Sequence, residues 1–220
     1  MRSPTAVALL LVGLSAQTAQ ADFYDGLAAY RRGDHEEALR QLEPVAARGE
    51  VEAQYLVGSI HADPAIGLVD ETTAFEWFRK AAEQGHARAQ QRLGDSYEHG
   101  RGVAPDDATA VRWYRRAALQ GLAVAQADLA TMFDQGRGVP QNSSKAANWF
   151  RDAAEQGYAR AQFNLATMFQ SGRGVDENQT RAAKWFRRAA KQGHPEAQNA
   201  LGLMLDAGHG VERNTTRAAN

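Results

Sequence analysis

The 220-residue chain contains no cysteine, which excludes disulfides, a thiol nucleophile and an acyl-anchoring N-terminal cysteine. It also lacks an excess of either charge: 25 basic and 26 acidic residues leave a formal charge of −1. No global field is therefore available to attract nucleic acid or an anionic membrane. Long apolar runs are missing as well. Ala6 to Leu14 is too short to cross a bilayer, and no later stretch is long and apolar enough to do so. That early run instead follows Arg2 and precedes Ala19-Gln20-Ala21, a small-x-small pattern of the kind read by signal peptidase. Residues 1–21 are expected to be a signal peptide cleaved after Ala21, leaving a mature, exported protein that begins at Asp22. Without disulfides, its stability must come from packing.

Aromatic residues make up only 8% of the chain, so their placement is informative. All four tryptophans, Trp77, Trp113, Trp149 and Trp185, are 36 residues apart. Gly49, Gly85, Gly121, Gly157 and Gly193 keep that interval, as do Asp34, Asp70, Asp106, Asn142, Asn178 and Asn214. A fixed period in this range is the mark of stacked supersecondary units. The expected fold is all-α: a right-handed α-α superhelical solenoid of helix-turn-helix repeats.

Each unit reads as two helices. The first, for example Ala87 to His99, places Ala89, Leu93 and Tyr97 on one stripe. The position of Gly94 holds only small residues (Gly58, Ala130, Ala166, Gly202), which allows a neighbouring helix to approach closely. Gly100 ends the first helix, GRGV reverses the chain, and Asp106 or its Asn counterparts are expected to cap the second helix. The second helix ends near Gln120, with Gly121 suited to the left-handed conformation. Arg115 and Arg116 in its last turns favour the negative end of the helix dipole. Two segments depart from the pattern. FYDGLAAYRRGDHEEALRQLEPVAARG has a shorter turn and carries Gln41 at the tryptophan position; HADPAIGLVD has Pro64 and Ile66 where later units have glycine. The expected organisation is a divergent tetratricopeptide-like hairpin over 22–44 and a repeat array over 45–220, the last copy incomplete.

These units resemble the Sel-one-like repeat family, a relative of the tetratricopeptide repeats. The resemblance is carried by Ala89-Gln90, Leu93-Gly94, Tyr97, Gly100, Gly102-Val103, Asp106, Ala110, Trp113-Tyr114, Ala117-Ala118 and Gln120-Gly121, and recurs over Val45 to Asn220. It implies a helical superhelix and, usually, a role in assembling protein complexes. The tryptophans are expected in the core, where an indole buries roughly 150–250 Å² and contributes on the order of 4–6 kcal/mol.

The other residues carry no catalytic signature. Cysteine-rich exported relatives are linked to β-lactamase activity, but Ser-x-x-Lys, Ser-Asp-Asn, Lys-Thr-Gly and Gly-x-Ser-x-Gly are all absent. The six histidines, His35, His61, His86, His99, His194 and His209, form no HExxH pair. Capping at the start of a first helix suffices for His86 and His194. GRGV follows a helix and lacks a P-loop lysine, so it reads as a turn. No catalytic residue, metal or cofactor is expected.

The remaining reading is binding. In such superhelices the first helices line the concave face, and the positions left free by the core stripe are Glu52, Tyr55 and Ser59, then Arg88, Arg92 and Asp95. Asp128 and Thr131 follow, then Arg160, Phe163 and Asn164, then Glu196 and Asn199. Tyr55, Arg88, Arg92, Asp95, Arg160, Phe163, Asn164 and Asn199 are the candidate partner contacts, aromatic and arginine residues being enriched at hot spots. The leading expectation is a periplasmic or secreted scaffold or regulator that binds another envelope or periplasmic protein. The alternatives are a glycan-binding envelope scaffold and, by family analogy, a cell-wall or β-lactam hydrolase.

Overall fold

A computed structural model describes residues 20–210. The expected signal peptide lies almost wholly outside these residues, as do the Asn214 cap and the last second helix. The described residues contain eleven α-helices and no strand: the helix over residues 20–32 (α1), then α2 His35–Ala47, α3 Val51–His61, α4 Glu71–Glu83, α5 Ala87–His99 and α6 Asp107–Leu119. They continue as α7 Ala123–Gln135, α8 Ser143–Glu155, α9 Ala159–Ser171, α10 Gln179–Lys191 and α11 Pro195–Ala207. A 3₁₀ turn, Pro64–Ile66, stands between α3 and α4. The fold is the all-α repeat solenoid class. The chain divides between Pro105 and Asp106 into two compact units.

In the first unit, α2 packs on α3, α3 on α4 and α4 on α5. Its first core cluster holds Ala29, Leu42, Val45, Val57 and Ile60, flanked by Phe23, Leu27 and Tyr30. In the second unit each helix from α6 to α11 packs on the next.

The period has three structural causes. The second helices α4, α6, α8 and α10 start at Asp70, Asp106, Asn142 and Asn178. Each cap side chain accepts the N–H three residues on, at 2.8–3.1 Å. The second glycine of each turn lies against backbone. A Cβ on Gly138 would sit 2.3 Å from the Asp107 carbonyl oxygen, and one on Gly174 would sit 2.3 Å from the Ser143 carbonyl carbon. Both glycines also have φ near +70°, so only glycine fits.

The third cause is a glutamine brace. Gln54, Gln90, Gln126 and Gln162 are buried near the starts of α3, α5, α7 and α9. Each donates through Nε2 to a carbonyl near the end of the preceding helix: Ala46, Ala82, Ala118 and Ala154, at 3.0–3.3 Å. The Oε1 atoms of Gln54, Gln126 and Gln162 accept from Gln84, Gln156 and Gln192 at 2.7–2.8 Å. Carbonyls left open at a helix end are thereby satisfied by the next repeat.

The tryptophan ladder is not where the sequence reading put it. Trp77, Trp113, Trp149 and Trp185 are half-buried, whereas the residues after them, Phe78, Tyr114, Phe150 and Phe186, are no more than 2% exposed. The buried ring sits at the centre of an alanine frame. Tyr114, for example, lies three or four residues from each of Ala110, Val111, Ala117 and Ala118, all buried. The indole lies at the edge of that frame. Lys80, Arg116 and Arg188 stack over Trp77, Trp113 and Trp185 at 3.9, 4.4 and 4.4 Å, which leaves the cations in water.

Candidate partner-binding face

The first helices present their non-framework side chains unevenly. In the first unit, Arg88 is exposed, and Glu52, Tyr55, Ser59, Arg92 and Asp95 are half-buried. Glu52 is bonded to His86 Nε2 at 3.0 Å. The Nδ1 of His86 accepts the Ala89 N–H at 3.1 Å, capping α5. That cap fixes the proton on Nε2, where it is donated to Glu52. Tyr55 packs on the same imidazole, with ring centroids 4.7 Å apart, and lies 6.1 Å from Phe78. Ser59 donates to the Tyr55 carbonyl at 2.8 Å. Asp95 pairs with Arg101 at 2.8 Å and with His99 at 3.1 Å. The Arg92 guanidinium lies 5.4 Å from the Phe78 ring centroid.

Of these residues, Tyr55, Ser59, Arg92 and Arg101 line an open cleft of about 440 Å³, together with Tyr30 and Asp63. The irregular segment after α3 forms one wall. Asp63 Oδ1 accepts the Ala65 N–H at 2.9 Å and starts the Pro64–Ile66 turn. Burial pushes the Tyr30 phenol above its ordinary pKa, and Tyr55 and Asp63 push in the same direction. Tyr30 is thus a protonated hydroxyl at neutral pH. The sequence reading missed Tyr30, Asp63 and Arg101. The signal for Asp63 was present in the departure of its loop from GRGV.

In the second unit the face is more closed. Asp128, expected to be free for contacts, is 9% exposed and pairs with Arg160 at 3.4 Å. Thr131 donates to the Ala127 carbonyl at 2.9 Å. Phe163 is half-buried, stacks on His194 with centroids 4.8 Å apart, and packs at a tilt against Phe186 at 5.7 Å. His194 makes no side-chain cap, contrary to expectation; its ring stacks on Phe163 and its Nδ1 lies 3.1 Å from Glu196. Arg160, Glu196 and Asn199 are exposed, and Asn164 is half-buried.

Among the described residues no group of three or more His, Asp or Glu side chains is placed to hold a metal ion. No described helix is long and apolar enough to cross a membrane.

Comparison with known proteins agrees with this architecture. The Sel1 repeat pattern matches residues 51–86, 87–122, 123–158, 159–194 and 195–220. A crystal structure of c5321, a protective antigen present in uropathogenic Escherichia coli strains and displaying an SLR fold, superposes with a TM-score of 0.85 at 30% identity. The similarity covers 96% of this chain and 46% of that one, so the present chain spans under half of that relative's length. A Sel1 repeat protein from Oxalobacter formigenes superposes with a TM-score of 0.83 at 33% identity, covering 90% of this chain and 79% of that one. A search of curated proteins returned no match.

Proposed function

The chain belongs to the Sel1 repeat family, whose members are generally protein–protein interaction scaffolds, and from that premise we propose an exported adaptor. In this reading it holds a partner protein on the first-helix side chains of its repeats and performs no chemistry of its own. The observation that carries the proposal is the cleft around Tyr55 and Arg92, where aromatic and cationic side chains outside the repeat framework converge on open space. Export is supported by the leader-like segment ending at Ala21. A protective antigen among the similar structures fits an exported product.

A photoreactive residue placed at Arg88 tests the adaptor role in living cells. A discrete crosslinked protein is expected from that position and none from Arg115, which is exposed on α6. Crosslinking from Arg115 alone would reject the assignment. Mass spectrometry of the secreted or periplasmic product should give Asp22 as its first residue; an intact Met1 in the cytoplasm would reject export.

A further inference from the structure

We propose that the first-unit cleft recognises an acidic segment of the partner protein: an Asp or Glu carboxylate pairs with Arg92, and an adjoining apolar side chain lies against Tyr30 and Tyr55. This deepens the partner-binding reading and rests on it.

The repeat itself separates packing from recognition. The position of Tyr55 holds Gln91, Ala127, Phe163 and Asn199 in the other copies, and that of Arg92 holds Leu56, Asp128, Asn164 and Ala200. The hairpin forms with any of these, so the fold requires neither a tyrosine nor an arginine there. The Asp63-Pro64 wall also departs from the glycine turn used by the later copies, each with its first glycine near φ +70°. Two variable positions and one irregular turn meet at one cleft. Its volume of about 440 Å³ falls within the range of roughly 300–1,000 Å³ usual for small-ligand sites, room for a few side chains of a peptide.

Charge selects the ligand. Arg101 is paired with Asp95 at 2.8 Å; Asp63, whose Oδ1 accepts the Ala65 N–H, keeps its negative charge on the segment that forms one wall of the cleft. Arg92 has no ion-pair partner among the described residues. The Phe78 ring beneath it holds the guanidinium in place without neutralising it. Arg92, a guanidinium without an ion pair in a cleft that two tyrosines also line, is the group there suited to one carboxylate, and a charge-assisted bond to a guanidinium is among the stronger polar contacts. A phosphate carries about −1.5 to −2 charges, too many for Arg92 alone with Asp63 lining the same cleft.

Selection from a random linear peptide library against the whole exported chain tests this. The wild type should enrich peptides with Asp or Glu beside an aliphatic or aromatic residue. Arg92→Gln should weaken binding of a selected acidic peptide at least tenfold and abolish the acidic enrichment, with its melting temperature near wild type. Arg92→Glu should shift the selection to Lys and Arg; if that variant melts early, Arg92→Gln alone decides. Enrichment of uncharged or basic peptides by the wild type would overturn the carboxylate assignment while leaving partner binding standing. So would an acidic preference that survives Arg92→Gln. No enrichment of any peptide would overturn the acidic-segment proposal, and the crosslink from Arg88 decides partner binding separately.

Discussion

Phe150 and Trp149 are neighbours with opposite fates. The Phe150 ring is 2% exposed within an alanine frame, and the Trp149 indole is partly exposed. Phe150→Ala should therefore cost about 3–5 kcal/mol of stability, and Trp149→Ala distinctly less, in urea unfolding of the two variants. Equal losses would contradict the packing described. The indoles drew attention in the sequence because tryptophan is rare and their spacing is regular, but rarity does not report burial. The helical wheel did contain the answer, since position 150 is three or four residues from Ala146, Ala147, Ala153 and Ala154, all buried. The glycines permit a second comparison. Gly138→Ala adds a Cβ 2.3 Å from the Asp107 oxygen, whereas Gly121→Ala, also at positive φ, meets nothing within 4 Å. Both lose about 1–2 kcal/mol to left-handed strain. Gly138→Ala should lose clearly more, read as a larger fall in melting temperature.

The helix starts respond differently to acid. Asp70 is held below its ordinary pKa first by the backbone N–H of Thr73 and then by that residue's hydroxyl. Asp106 is held down first by the Thr109 hydroxyl and then by its N–H. A depressed carboxylate contributes stability that is complete above the unfolded value of about 3.9 and is lost as pH falls through the folded value. Asn142 and Asn178 cap α8 and α10 without titrating. The combined Asp70→Asn and Asp106→Asn variant should thus show a flatter decline of melting temperature below pH 4 than the wild type; an unchanged slope would refute the cap account. These caps were legible in the sequence because an N-cap is a local signal. The glutamine brace was not. Gln90 and Gln120 stood in the recognised motif, but a bond from a buried Nε2 to a carbonyl eight residues back depends on how two helices meet. Gln162→Met removes the donor to the Ala154 carbonyl and should cost about 1–3 kcal/mol for an unsatisfied buried acceptor, measured by urea unfolding.

At the scale of the molecule, a 36-residue period, capped second helices and glycine turns placed this chain in its fold class from sequence alone. The face was only partly legible. Spacing put Tyr55, Arg92 and Phe163 on the first helices, but could not tell that Asp128 is neutralised by Arg160 or that Phe163 is absorbed by His194 and Phe186. Those outcomes depend on which residues the adjacent copies supply. The first unit is where departures from the repeat leave open space, and binding is proposed there. Amide hydrogen exchange on the full chain, with and without the protein crosslinked from Arg88, tests this most directly. New protection is expected in α3, α5 and the segment around Pro64–Ile66. Protection confined to the second helices α4, α6, α8 and α10 would contradict it.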